Sequence, residues 1–85
     1  MNSRNRRIEY HDDMSDNYHD KKMKFHDRQL HPLYHLAKLS SELHATASDA
    51  WKGKWEDPKR YSLAARRASE AYKAASRHLQ KNDLY

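Results

Sequence analysis

The chain has 85 residues, a formal charge of +5 at neutral pH and no cysteine. That length allows one domain at most, and the missing cysteines exclude disulfides, a thiol nucleophile and a Cys-ligated zinc site. No apolar stretch approaches the ~20 residues needed to cross a bilayer, and no apolar run follows the basic start, so the expectation is a cytoplasmic chain with neither signal peptide nor membrane span.

The N-terminal third gives the weakest structural signal. Arg4, Arg6 and Arg7 make its first residues basic, and residues 1–12 read as a flexible basic arm. Ser15 offers a helix cap, with Tyr18, Lys22 and Phe25 on one side. These do not add up to an apolar stripe, so residues 13–30 read as a short helix or an irregular segment. One pattern stands out there. An aromatic–His–Asp triplet occurs at Tyr10-His11-Asp12, Tyr18-His19-Asp20 and Phe25-His26-Asp27. Spacings of eight and seven return to nearly one face of a helix. Chance in a segment rich in His and Asp accounts for it. So does a recurring contact unit, with the aromatic packed inward and a His–Asp pair at the edge. Asp12, Asp13, Asp16, His19 and Asp20 lack the Gly and closing Glu of a calcium loop and read as a solvated charge run beside Lys21, Lys22 and Lys24.

A first clear helix covers residues 32–52. Pro32 suits its first position, because the N–H that proline lacks would be unpaired there anyway. Leu33, Leu36, Leu39 or Ser40, Leu43, Ala47, Ala50 and Trp51 then recur in steps of three and four, the stripe of an amphipathic helix. Gly53 suits its C-terminal cap. A second helix covers residues 58–81, with Asp57 as N-cap and Pro58 at the first position. Its stripe is Tyr61, Ala64, Ala65, Ala68, Ala71, Tyr72, Ala75 and Leu79. Alanine favours helix and lets a neighbour approach closely. The short connection from Gly53 to Asp57 makes the two helices an antiparallel hairpin. The fold class is therefore all-α: a hairpin of two long amphipathic helices behind a partly helical or flexible N-terminal segment. Ordering each residue costs ~1.5 kcal/mol and an alanine-rich seam returns little. The N-terminal segment, a second copy of the chain or a partner must therefore complete the core. Pairing into a helical bundle as a homo-oligomer is the expectation.

The chemistry-bearing residues are sparse. His31 and His35 have the spacing of two ligands on one helical turn, with Asp27 four residues earlier, but Pro32 interrupts the turn and no Glu is placed as a base. His31 reads as a helix-start residue and His35 as a solvated one. No metal and no cofactor is expected. Ser40, Ser41 and Ser62 sit in no nucleophile elbow, and a single Gly cannot form a phosphate loop. No enzymatic activity is expected.

The strongest signal is cationic. By segment the charge is +1 over residues 1–30, zero over 31–52 and +4 over 53–85. Lys59, Arg66, Lys73 and Arg77 project from one side of the last helix, opposite the alanines. Arg60, Arg67 and Lys81 flank them, and Glu70 is the one acid on that face. Arg4, Arg6 and Arg7 add the N-terminal arm. Such a stripe is either an ordinary solvated face or a binding surface. Trp55, between Lys54 and the next helix, is hard to bury and suits a contact anchor. The sequence thus points to a non-enzymatic protein acting by stoichiometric association with a larger protein or enzyme. Its partner-binding residues would be Trp55, Lys59, Arg60, Arg66, Arg67, Lys73, Arg77, Arg4, Arg6 and Arg7. In general character, though by no motif, it is similar to accessory proteins of phages and other mobile elements that inhibit a host nucleic-acid-handling or defence enzyme. The alternative is non-specific nucleic-acid binding through the same basic face, without a helix-turn-helix or other sequence-reading motif.

Overall fold

A computed structural model describes residues 3–28 and 31–83. Three helices follow one another: α1, Ser3–Met23; α2, Pro32–Trp51; and α3, Pro58–Lys81. α2 packs against both others, while the backbones of α1 and α3 stay apart. The pairs His11–His44 and Arg4–Trp51 set α1 antiparallel to α2. Ser40–Ser69 and Trp51–Ser62 do the same for α2 and α3. α1 and α3 therefore run parallel on either flank of α2, in a rod of 43 × 22 × 21 Å.

The hairpin of α2 and α3 lies where the apolar spacing places it. The N-terminal segment does not behave as expected. Met1 and Asn2 lie outside the described residues, but from Ser3 onward the expected flexible arm is helix, continuous to Met23. Local signals oppose this. The first turn holds no acid, although acids are what a helix N-terminus favours. Tertiary anchoring supplies the difference. Arg4 Nε donates a hydrogen bond to the Trp51 carbonyl at the C-terminal end of α2, where a cation meets both an unpaired carbonyl and the negative end of the dipole. The Arg7 guanidinium lies 4.4 Å over the Trp51 ring. The third layer of the bundle thus comes from the same chain, with α1 packed along α2.

Each helix presents a seam with alternating steps of three and four. On α1 and the turn after it the seam is Ile8, His11, Ser15, Tyr18, Lys22 and Phe25. On α2 it is Leu33, Ala37, Ser40, His44, Ala47 and Trp51. On α3 it is Ser62, Ala65, Ser69, Tyr72, Ser76 and Leu79. All of these are buried or half-buried. The α1 seam is regular but written largely in polar residues, which is why no apolar stripe marks it. On α2 the choice between Leu39 and Ser40 falls to Ser40, fully buried, with Leu39 46% exposed. The alanine stripe of α3 divides. Ala65, Ala68 and Tyr72 are buried, Ala64, Ala75 and Leu79 are half-buried, and Ala71 is exposed.

The helix ends show their chemistry. After α2, Gly53 takes φ 98°. Its N–H bonds the Ala50 carbonyl, and the Lys54 N–H bonds that of Asp49, both at 3.0 Å. This is the Schellman arrangement, and it requires the left-handed residue that glycine supplies. His31 caps α2, its Nδ1 accepting the Leu33 N–H at 3.1 Å, with its ring stacked on Phe25 at 4.7 Å. Asp57 does not cap α3 as expected. It precedes the helix, but at φ 55° and ψ 65°, and its carboxylate accepts no capping bond. Its left-handed backbone turns the side chain away from the N–H groups that a β-region cap reaches.

Candidate binding groove

Because α1 and α3 both touch α2 but not each other at the backbone, the side of the rod facing away from α2 between them is a groove. Side chains make its floor. The Tyr18 and Tyr72 rings meet edge to face at 5.3 Å, and His11 Nε2 lies 2.8 Å from Ser62 Oγ. Two clefts open above this floor. One, about 430 Å³, is lined by Arg7, Tyr10 and His11 of α1, His44 and Trp51 of α2, and Lys59, Ser62, Leu63 and Arg66 of α3. The other, about 540 Å³, is lined by Met14, Asn17, Tyr18 and Lys21 of α1 and Tyr72, Lys73, Ser76 and Arg77 of α3.

The groove sorts the cations that the sequence singled out. Lys59, Arg66, Lys73 and Arg77 line it together, joined across the gap by Arg7. Lys21 also lines it. Its place could have been read from its distance of fourteen residues from Arg7, which returns to the same helical face. No acidic residue lines either cleft among the described residues. Glu70, the acid on the α3 face, is bound to Arg66, with Oε1 3.2 Å from Nε. Arg60 and Arg67 are exposed but line neither cleft. Arg4 is committed to α2, and Arg6 is exposed outside the groove. Trp55 is 52% exposed in the α2–α3 connection, away from both clefts. The groove is not merely charged. Tyr10 and Leu63, 54% and 46% exposed, face its first cleft, and Met14 its second.

Beneath the first cleft runs a buried polar chain that the sequence did not reveal. Trp51 Nε1 donates to Ser62 Oγ at 2.7 Å, and Ser62 meets His11 Nε2 at 2.8 Å. His11 Nδ1 then faces His44 Nδ1 at 2.8 Å, His44 Nε2 meets Ser69 Oγ at 2.8 Å, and Ser69 meets Ser40 at 2.7 Å. Two facing Nδ1 atoms form a hydrogen bond only if one of them is protonated and the other is not. Burial lowers the pKa of His11, with Asp12 acting in the opposite direction. Burial, and then the neighbouring His11, push His44 down to about 4. The triplet pattern resolves on the same seam. Its buried members lie seven apart, at His11, Tyr18 and Phe25, while Tyr10, His19 and His26 are exposed. In the first triplet the aromatic and the imidazole have exchanged the places expected of them, because Tyr10 is eight rather than seven residues before Tyr18.

Asp13, Asp16 and Asp20 are exposed as a solvated run requires, and Asp12 lies 3.9 Å from Lys52. Comparison with protein-family models, with curated proteins and with solved structures finds no match. Among the described residues no helix is long and apolar enough to cross a membrane.

Proposed function

We propose that this chain is a non-enzymatic binding protein that seats an acidic surface of a larger protein in the α1–α3 groove. In biological terms we place it among inhibitors or accessory factors of the phage and mobile-element type, directed at a host nucleic-acid-handling or defence enzyme. The observation that carries the binding reading is the company the cations keep. Arg7, Lys21, Lys59, Arg66, Lys73 and Arg77 share one groove with Tyr10, Met14 and Leu63. Apolar side chains ringed by cations favour a partner that brings carboxylates and hydrocarbon together, as a protein surface does. A phosphate backbone would use the cations and leave Leu63 and Met14 unmatched.

The Ser62–His11–His44 order is that of a nucleophile, its base and an orienting group. Ser62 Oγ, however, already receives the Trp51 indole N–H, and His44 continues through Ser69 to Ser40 rather than ending at a carboxylate. We therefore read these residues as part of the core network that joins the three helices.

The test is capture of a partner from lysate on immobilised protein, with and without nuclease. A single stoichiometric band that survives nuclease, and is lost with the Arg66→Glu/Arg77→Glu double variant, supports the reading. Complete loss of bound material on nuclease treatment turns the assignment to non-specific nucleic-acid binding. That alternative would also show affinity falling with salt at a log–log slope of about −0.9 per phosphate neutralised on duplex DNA.

A further inference from the structure

The groove has a definite shape as well as a charge, and the shape restricts what can occupy it. α2 packs closely against both α1 and α3, whereas α1 and α3 meet only through side chains such as His11–Ser62 and Tyr18–Tyr72, and the rod is nearly as deep as it is wide, at 22 × 21 Å. Three helices so arranged leave an open side between α1 and α3, above their meeting side chains. That open side is the groove, lined by both helices. Its walls repeat with helical spacing. Arg7, Tyr10, Met14 and Lys21 on α1 fall at steps of three, four and seven. From Arg7 to Lys21 the wall runs ~21 Å, and from Lys59 to Arg77 ~27 Å, at ~1.5 Å per residue. Four-helix bundles close in this way, with knobs of one helix entering holes between residues of its neighbours.

We infer that the occupant is an amphipathic α-helix of about 14 to 18 residues, supplied by the partner protein, with an apolar stripe set on Tyr10, Met14 and Leu63 and Asp or Glu along both edges. This rests on the reading of the groove as a protein-binding surface and goes further by fixing the form of the ligand. The edge acids would meet Arg7 and Lys21 on one wall and Arg66, Lys73 and Arg77 on the other. A helix lying in a groove on an apolar face is a common mode of recognition. A second copy of this chain fits less well. Its own outward acidic line, Glu9, Asp13, Asp16 and Asp20, lies on exposed α1 positions at steps of four, three and four, which matches the charge. That line has no apolar residue to place on Leu63 and Met14, so it satisfies the rim and leaves the floor uncovered.

Synthetic peptides on the intact protein test this. The probe is a capped 18-residue peptide with Leu at steps of three and four and Glu flanking them. Its comparators are the same composition scrambled to destroy that spacing, a Lys-for-Glu version, and 20-nucleotide single- and double-stranded DNA. Binding is read by calorimetry, and helix formation in the peptide by circular dichroism. The Leu/Glu helix should bind one to one, at least ~10-fold tighter than the scrambled peptide, and become helical, since a hot-spot anchor contributes on that scale. The Lys version should not bind. Leu63→Asp and Arg66→Glu/Arg77→Glu change exposed positions, so both should keep the thermal transition, and each should weaken the peptide by ~10-fold or more.

Equal binding of the scrambled peptide overturns the inference, because the groove then reads charge alone. Tighter binding of either DNA overturns it in favour of a phosphate ligand. Salt-sensitive self-association that displaces the peptide overturns it in favour of a second copy. If no peptide binds but a nuclease-resistant protein is still captured in a manner that requires Arg66 and Arg77, the helical occupant is wrong while protein binding through the groove stands.

Discussion

The two ends of the bundle solve the same packing problem with different chemistry. Where α1 ends and α2 begins, the core is Tyr18, Phe25, Leu33, Ala37 and Tyr72, with Met14, Tyr34, Leu36, Ala75 and Leu79 packed around them. Where α1 begins and α2 ends, the same seam positions hold His11, His44, Ser40, Ser62 and Ser69 in one hydrogen-bonded chain. Apolar contacts are non-directional, so the first end tolerates small shifts of one helix along another. The second end does not. Each of its bonds, at 2.7 to 2.8 Å, joins two helices at one register, and a shift of one turn would strand several buried polar atoms. The aromatic end supplies most of the driving force, and the imidazole–serine end selects the arrangement. The groove depends on that selection, because its walls are α1 and α3, held in step across the gap by His11–Ser62 and Tyr18–Tyr72.

The largest effect should come from breaking the aromatic end. Tyr18 is 1% exposed and packs on both His44 and Tyr72. Tyr18→Ala should cost ~3–5 kcal/mol in a domain whose total stability is on the order of 4 to 13 kcal/mol. Urea unfolding should show the midpoint falling towards zero denaturant. A loss below ~1 kcal/mol would mean that the aromatic end does not dominate the core.

The polar end should show itself through pH. An unfolded chain takes up protons on His11 and His44 near pH 6.5, whereas in the folded protein burial holds both pKa values down, that of His44 at about 4. Below pH 6.5 the unfolded state therefore binds more protons, and stability falls as pH drops from 6.5 towards 4. The groups facing the pair do not reverse this. Asp12 favours a proton on His11, but Arg7, Lys59 and Arg66 line the same cleft and oppose it. The loss attributable to His44 should reach roughly 3 kcal/mol by pH 4, measured as the urea midpoint across that range. Replacing both imidazoles, in His11→Leu/His44→Leu, should flatten the profile, since Ser62 keeps Trp51 and Ser69 keeps Ser40. His44→Leu alone strands His11 Nδ1 and should cost ~1–3 kcal/mol more than additivity with the second change allows. A flat profile in the unaltered protein would show that the pair is not buried as described.

A smaller effect is expected at Gly53, outside both ends. A Cβ there would lie 3.3 Å from an Arg4 guanidinium nitrogen, on a backbone of φ 98°. Gly53→Ala should cost ~1–2 kcal/mol and loosen the N-terminal turn of α1, readable as faster amide exchange there. Unchanged exchange would separate the cap from the anchoring of α1.

What the sequence disclosed divides along the same line. α2 and α3 were legible because Leu33, Ala47, Ala65 and Leu79 announce a helical period in hydrocarbon, and prolines mark both starts. The α3 cations were legible as a face for the same reason. α1 was not, because its seam places His11, Ser15 and Lys22 where a period-finding argument looks for leucine, and its opening arginines contradict the helix dipole. Their contacts with Trp51, forty-seven residues from Arg4 in sequence, anchor that turn. His44 went unnoticed for a related reason. A lone imidazole in an apolar stripe has no meaning until the helix carrying His11 lies opposite. The groove, which needs both α1 and α3, could not be assembled from either alone.

The finest test of the comparison is a pair of serines on α2 eight residues apart. Ser40 and Ser48 are both buried, at 0% and 1% exposure, and they differ in one respect. Ser40 Oγ is bonded to Ser69 at 2.7 Å, whereas Ser48 Oγ has no hydrogen-bond partner among the described residues. If the polar end stabilises through satisfied bonds rather than through polarity as such, the same substitution must act with opposite sign at the two positions. Ser48→Ala removes a desolvated hydroxyl, improves helix propensity and leaves a gap of one oxygen, so it should stabilise by ~0.5–1 kcal/mol. Ser40→Ala cuts the end of the chain and should destabilise by ~0.5–1.5 kcal/mol. At ~4–8 °C per kcal/mol for a domain of this size, thermal melts resolve both signs. Stabilisation by both changes would mean that the serines of this seam are tolerated polarity and that the register is set by the aromatic end after all.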